Sequence, residues 1–144
     1  MSTDVATVFE IKGWDESPID EDDGARKVTR ARVTRSLADG IDGTSLAELL
    51  MAYAPDGSAS IVGVERVRGA VGERRGSFVL QQVGRYADGV ARCSLTIVPG
   101  SGTDDLASLT GQGEFYAESG MTGTITLALE FAEQSAGDAA SRAQ

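Results

Sequence analysis

The chain has 144 residues, a mass of 15.0 kDa and a formal net charge of −9, with one cysteine and no histidine. That size suits a single domain whose core needs neither disulfide nor structural metal. The charge disfavours nucleic acid and anionic membrane as partners, and the missing histidine removes Ser-His-Asp and Cys-His nucleophile systems and every His-containing zinc site.

The same inventory leaves no thiolate metal site, because Cys93 stands alone, and no cofactor is expected. No apolar run approaches the roughly 18 residues of a membrane span. The acidic start, Met1-Ser2-Thr3-Asp4, lacks the basic-then-apolar order of a signal peptide, so a cytoplasmic location is expected.

Along the chain the dominant pattern is period-two alternation cut by turn residues, which predicts strands. The first covers about Val5–Trp14, with Phe9 and Ile11 facing one way and Glu10 and Lys12 the other; an acidic loop from Asp15 to Gly24 comes next. Calcium loops need ligands at alternate positions and a late bidentate Glu. Aligning Gly24 to their glycine puts Ile19 and Arg30 at the end positions, so this loop is expected to be solvated.

Strand two, about Ala25–Leu37, sets Thr29, Ala31 and Val33 against Arg30, Arg32 and Thr34, and its arginines (Arg26, Arg30, Arg32, Arg35) are expected on a solvated outer face. The turn Asp39-Gly40-Ile41-Asp42-Gly43 leads to strand three, about Thr44–Ala54, and Pro55-Asp56-Gly57 makes a tight hairpin. Strand four spans about Ser58–Gly69. If Arg66 and Arg68 face solvent, Ile61, Glu65 and Val67 point inward. An inward carboxylate must be hydrogen-bonded or have a raised pKa, which makes Glu65 a candidate functional residue. Glu48, between Leu46 and Leu50, poses the same question more weakly.

Strand five, about Arg74–Arg85, puts Gln82 on the face of Phe78 and Leu80, where it could hydrogen-bond beside Glu65. Strands three and five carry apolar residues on both faces, Leu46 and Leu50 against Leu49 and Met51, and Phe78 and Leu80 against Val79 and Val83. Such strands must be covered on both sides, so a homo-oligomer through strands three to five is expected.

Asp88-Gly89 opens strand six, which ends at Pro99 and turns Cys93, Leu95 and Ile97 to one side. Without a histidine to lower its pKa, Cys93 reads as a small core hydrophobe. The segment Gly100-Ser101-Gly102-Thr103-Asp104-Asp105 has the glycines of a phosphate cradle, but its two carboxylates repel an anion; it reads as a short helical turn with Thr103 as N-cap. Strands seven (about Thr110–Glu118) and eight (about Thr124–Phe131) complete the set, and the polar tail from Gln134 is expected to be disordered. Residues 1–133 thus form one all-β domain of eight strands, a closed up-and-down barrel or a sandwich, with 134–144 as a tail.

Three segments carry a resemblance: Gly63-Val64-Glu65-Arg66, the run from Arg75 through Phe78 and Gln82 to Gly84, and the run from Val98-Pro99-Gly100 through Leu106 and Leu109 to Gly111. Together they resemble a bacterial family of uncharacterised proteins with an allene-oxide-cyclase-like barrel. The Gly-Ser-Gly-Thr turn is more distantly similar to one in plant allene oxide cyclases and dirigent proteins. The resemblance implies an eight-stranded antiparallel barrel with a central cavity, often oligomeric, and no assigned reaction. In the family pattern the position of Gln82 is commonly histidine, so an acid–base role there would be lost in this chain.

The leading expectation is therefore a barrel that binds a small apolar or amphipathic molecule, with Phe9, Phe78, Leu80 and Leu95 as apolar wall and Glu65 and Gln82 as polar contacts. The alternatives are an isomerase or cyclase working by confinement, with Glu65 as general acid or electrostatic stabiliser, and a structural or interaction barrel with a packed lumen.

Overall fold

The computed structural model describes residues 2–21, 26–118 and 121–132. Eight strands succeed one another around a closed barrel: β1 (Ser2–Glu21), β2 (Lys27–Ala38), β3 (Ile41–Tyr53), β4 (Ala59–Val71), β5 (Arg74–Ala87), β6 (Val90–Ile97), β7 (Leu109–Ala117) and β8 (Thr122–Phe131). Every strand pairs antiparallel with its sequence neighbour, and β1 closes the ring on β8. Closure settles the choice between barrel and sandwich and removes the exposed edges that an open sheet would present. The tail from Gln134 and the Asp22–Gly24 part of the acidic loop lie outside the described residues.

Alternation decides what fills the barrel. On β2, Thr29, Ala31, Val33, Arg35 and Leu37 are buried while Arg30, Arg32 and Thr34 are exposed. Leu49, Ile61, Phe78, Leu80, Leu95, Ile97, Ile125 and Leu127 supply the interior of the other strands. The outer face of β3–β5 carries a row set by register, Leu50 opposite Val62 and Val62 opposite Val83, flanked by Leu46 and Val64; all five are exposed, Val83 by 56%.

β1 is longer than its alternation predicts. The stretch expected to be an acidic loop from Asp15 continues as strand to Glu21, because it pairs with the arginine-rich β2: Asp15 stands opposite Arg32 and Ser17 opposite Arg30. Continuous backbone pairing with β2, with Asp15 opposite Arg32, offsets the weak strand propensity of such a segment. A register shift between Ile11 and Gly13 marks a bulge that inverts the facing of the rest of the strand. Before the bulge, Phe9 is buried; beyond it, Trp14 and Glu16 stand opposite the inward-facing Val33 and Ala31.

The two ends of the barrel differ. One end is covered by the β6–β7 connection, whose 3₁₀ turn η1 (Asp104–Leu106) drives Leu106 into the interior with no exposed surface. The expected N-cap is not made. Asp104 adopts φ 54°, and the Thr103 hydroxyl instead accepts the Ser77 N–H at 3.0 Å and meets the Ser77 hydroxyl at 2.9 Å. Further clips run from Thr103 N–H to Ser77 carbonyl (2.9 Å), from Val79 N–H to Ser101 Oγ (3.0 Å) and from Arg75 N–H to Asp105 Oδ2 (3.1 Å). The glycine-rich segment is a strapped-down closure of the barrel, held to β5 through Ser101 Oγ, the Thr103 N–H and hydroxyl, and Asp105 Oδ2.

Candidate functional site

At the opposite end the described residues enclose a cavity of about 310 Å³. It reaches the surface beside Trp14, Tyr86 and Gly89, is walled by Ile11, Leu49, Met51, Ile61, Ala91, Phe115 and Ala117, and meets Arg35, Gln82 and Cys93. The volume is at the small end of the roughly 300–1,000 Å³ of small-molecule pockets, and apolar walls with few polar groups are their usual make-up. Trp14 belongs to this wall because of the bulge in β1.

The polar groups form one network across the lumen. Arg35 is 3% exposed and Glu65 has no exposed surface. Arg35 stands opposite Ser45, Ala47 opposite Glu65, and Gln82 two residues along β5, on the same face, from the Leu80 that stands opposite Glu65, so three adjacent strand pairings bring the four polar side chains together. Arg35 Nη1 lies 2.8 Å from Glu65 Oε1. The Gln82 amide donates to the same oxygen at 2.7 Å, and the Ser45 hydroxyl donates to Oε2 at 2.5 Å. Both carboxylate oxygens are thereby engaged.

The guanidinium is less well served. Nη1 approaches Glu65 as an ionic contact, but its N–H bonds are not aligned on the oxygen, and Nε has no hydrogen-bond partner. The guanidinium carbon lies 5.0 Å from the Phe9 ring centre and 4.9 Å from that of Phe115, and the two rings stack on each other at 5.0 Å. Cation–π attraction of this kind is worth about 0.5–2 kcal/mol and restrains the guanidinium without satisfying its N–H groups.

The sequence-based candidates fall into two groups. Glu65 and Gln82 point inward and meet, and Phe9 packs beside the guanidinium. Phe78, Leu80 and Leu95 are buried in the core. Of the six, Gln82 lines the cavity. Glu48 faces outward and bonds Arg30 (3.3 Å) and Arg32 (2.5 Å); those hydrogen bonds, Arg32's first, hold its carboxyl below the usual range. Arg35 is the residue the sequence reading misplaced, on a solvated face with the other β2 arginines. The signal was present, since Arg35 shares the parity of Thr29, Ala31 and Val33.

Two further groups border the cavity. Burial pushes the Cys93 thiol up to about 11; the Arg35 charge pulls it down and Glu65 pushes it up again, so Cys93 is not a thiolate nucleophile near neutral pH. Near the mouth, Glu16 accepts from Thr29 and Tyr53 hydroxyls at 2.6 Å each and from the Trp14 indole at 2.9 Å. Burial alone would raise the Glu16 carboxyl, but these three donors and the Lys27 charge outweigh it and hold it below its ordinary 4.5. The partner Tyr53 is pushed up to about 12, by burial first and by the Glu16 bond and charge second.

Residues 5–131 match the profile of a family described as "Protein of unknown function (DUF3224)". A crystal structure of a protein with unknown function from the DUF3224 family, from Shewanella oneidensis MR-1, is similar to this chain with a TM-score of 0.74 and 28% identity, covering 92% of this chain and 100% of that one. No curated protein matches the chain. Neither the family nor the solved relative is described as a cyclase, or with a ligand or a reaction. Among the described residues, no helix is long and apolar enough to cross a membrane.

Proposed function

Because the chain belongs to the DUF3224 family, whose description carries no activity, we propose its function from the site itself: it binds a small, mainly apolar molecule in the barrel lumen, through the mouth beside Trp14, Tyr86 and Gly89. The observation that carries this reading is the one-ended apolar cavity of about 310 Å³ with its polar groups gathered at the inner end. A barrel that served only as a structural module would gain stability by filling that space, since interiors pack to crystal-like density. Confinement catalysis with Glu65 as acid draws less support, because both Glu65 oxygens are engaged and the carboxylate is not part of the cavity wall.

Trp14 is the chain's single tryptophan and sits in the wall, so it is the natural reporter. Titration with small apolar compounds should shift its emission, and Ile61→Trp with Trp14→Phe should block the cavity and abolish the heat of binding in calorimetry. Wild-type protein that takes up no apolar compound by calorimetry or native mass spectrometry would end this reading.

The exposed apolar row on β3–β5 favours a homo-oligomer joined through that face. Light scattering at micromolar concentration should give more than the monomer mass, and Val62→Lys with Val83→Glu should return it to the monomer. The lone buried thiol suits a reducing, cytoplasmic setting.

A further inference from the structure

We infer that the inner end of the cavity selects a ligand with a neutral hydrogen-bond acceptor at its head, such as a carbonyl or hydroxyl oxygen, over the corresponding carboxylate, with Arg35 as the donor. This deepens the binding reading above and rests on it.

The first observation is a missing partner. Arg35 is 3% exposed and borders the cavity, and its Nε and Nη1 are buried with no hydrogen-bond acceptor among the described residues, so a ligand head is met by a small turn of the guanidinium toward the cavity. A buried donor left unsatisfied is costly, so a site that holds one gains from any ligand that brings the acceptor. The neighbours cannot turn to supply it: Glu65 is already bound by Ser45 and Gln82, and Phe9 and Phe115 present ring faces.

The second observation is charge balance. Arg35 and Glu65 face each other at 2.8 Å, so the cation is already neutralised within the lumen. A carboxylate arriving beside Arg35 would bring a second anion next to Glu65 in an apolar wall, where an uncompensated charge is expensive. A neutral oxygen would complete the hydrogen bond with no change in charge. The chain's net charge of −9 works against the anion in the same direction. The aromatic pair packs against the guanidinium, and Phe115 and Arg35 both border the cavity.

The experiment compares octanamide, octanoate and cyclohexane on the unmodified protein at pH 7.5, by calorimetry and Trp14 emission. Octanamide should bind at least about tenfold tighter than octanoate, the effect of one recovered hydrogen bond with no added charge. In protein labelled with nitrogen-15 arginine, the Arg35 Nε–H resonance should shift on adding octanamide and stay in place with cyclohexane. The double variant Arg35→Met/Glu65→Leu should lose the advantage of octanamide over octanoate. Tighter binding of octanoate, or an octanamide complex in which the Arg35 resonance does not move, overturns the selectivity and leaves the lumen as a binding site. If none of the three compounds binds, the binding reading itself fails, and the selectivity with it. Should the double variant not fold, the selectivity and the resonance shift in wild-type protein decide the matter.

Discussion

The two halves of the lumen are built from the same alternating strands and put to opposite uses. At the η1 end, Leu106, Phe78, Ile97, Leu109 and Leu129 are all at or below 1% exposed, Phe131 lies under the Arg74 guanidinium at 4.0 Å, and the covering turn is strapped to β5. At the mouth end, Ile11, Met51, Ile61 and Ala117 surround empty volume, and a buried ion pair stands where the first end has leucine and phenylalanine. The contrast teaches that stability and recognition are divided along the barrel axis. The closed half holds the close-packed core, which frees the open half to keep a void and an unsatisfied donor.

The sharpest way to break that comparison is to unbalance the polar half. Glu65→Leu should cost about 3–5 kcal/mol in denaturant unfolding, because it strands the Arg35 cation in the core, whereas Arg35→Met/Glu65→Leu should lie near or above wild type. Equal losses in the two variants would mean the pair matters by packing alone. Next in size is a truncation at each end. Leu106→Ala should cost about 2–5 kcal/mol, since the sealed end has no space to relax into, and Met51→Ala about 2 kcal/mol or less, since its side chain already borders a void. If Met51→Ala proved the costlier, the division of labour would be wrong.

The smallest effect sharpens the picture at the rim. Tyr53→Phe removes the 2.6 Å bond to Glu16 and should cost about 1 kcal/mol at neutral pH. Its pH dependence comes from the two shifts. The lowered Glu16 carboxyl contributes stability that is present above about 4.5, its unfolded value, and is lost as pH falls through its lower folded value. The raised Tyr53 hydroxyl contributes stability that is present below about 10 and is lost as pH rises toward about 12. Thermal unfolding of Tyr53→Phe across that range should therefore show a shallower fall at both extremes than wild type. A parallel curve would place the bond outside the folding equilibrium.

Much of this was legible in the sequence, and the exceptions share a cause. Period two sufficed to place eight strands and to turn Glu65 and Gln82 inward together. It was equally able to turn Arg35 inward, but a cluster of like charges on one strand suggested a common solvated face and overrode the parity. The length of β1 was hidden because Asp15, Ser17 and Glu21 are poor strand formers by themselves; what makes them strand is the continued backbone pairing with β2, a partner their own sequence does not show. The missing Thr103 cap is likewise non-local, since Ser77 on β5 competes for the hydroxyl. Which inward residues line the hollow and which fill the core depends on the stagger of all eight strands along the axis, and no single strand encodes it. That is why Phe78, Leu80 and Leu95 share the lumen with Gln82 while Gln82 borders the void.

The Arg35–Glu65 pair has a meaning for assembly of the chain as well. It spans β2 and β4 with β3 between them, so it forms only when two successive hairpins close in the native alignment. A one-residue slip of β2 would turn Arg35 and the interior row of Ala31, Val33 and Leu37 to the outside and leave Glu65 buried without its cation. Apolar rows tolerate such a slip wherever both faces carry Leu and Val, as they do on β3–β5. The ion pair does not, and it therefore acts as a proofreading contact that singles out one closed barrel from its misaligned relatives.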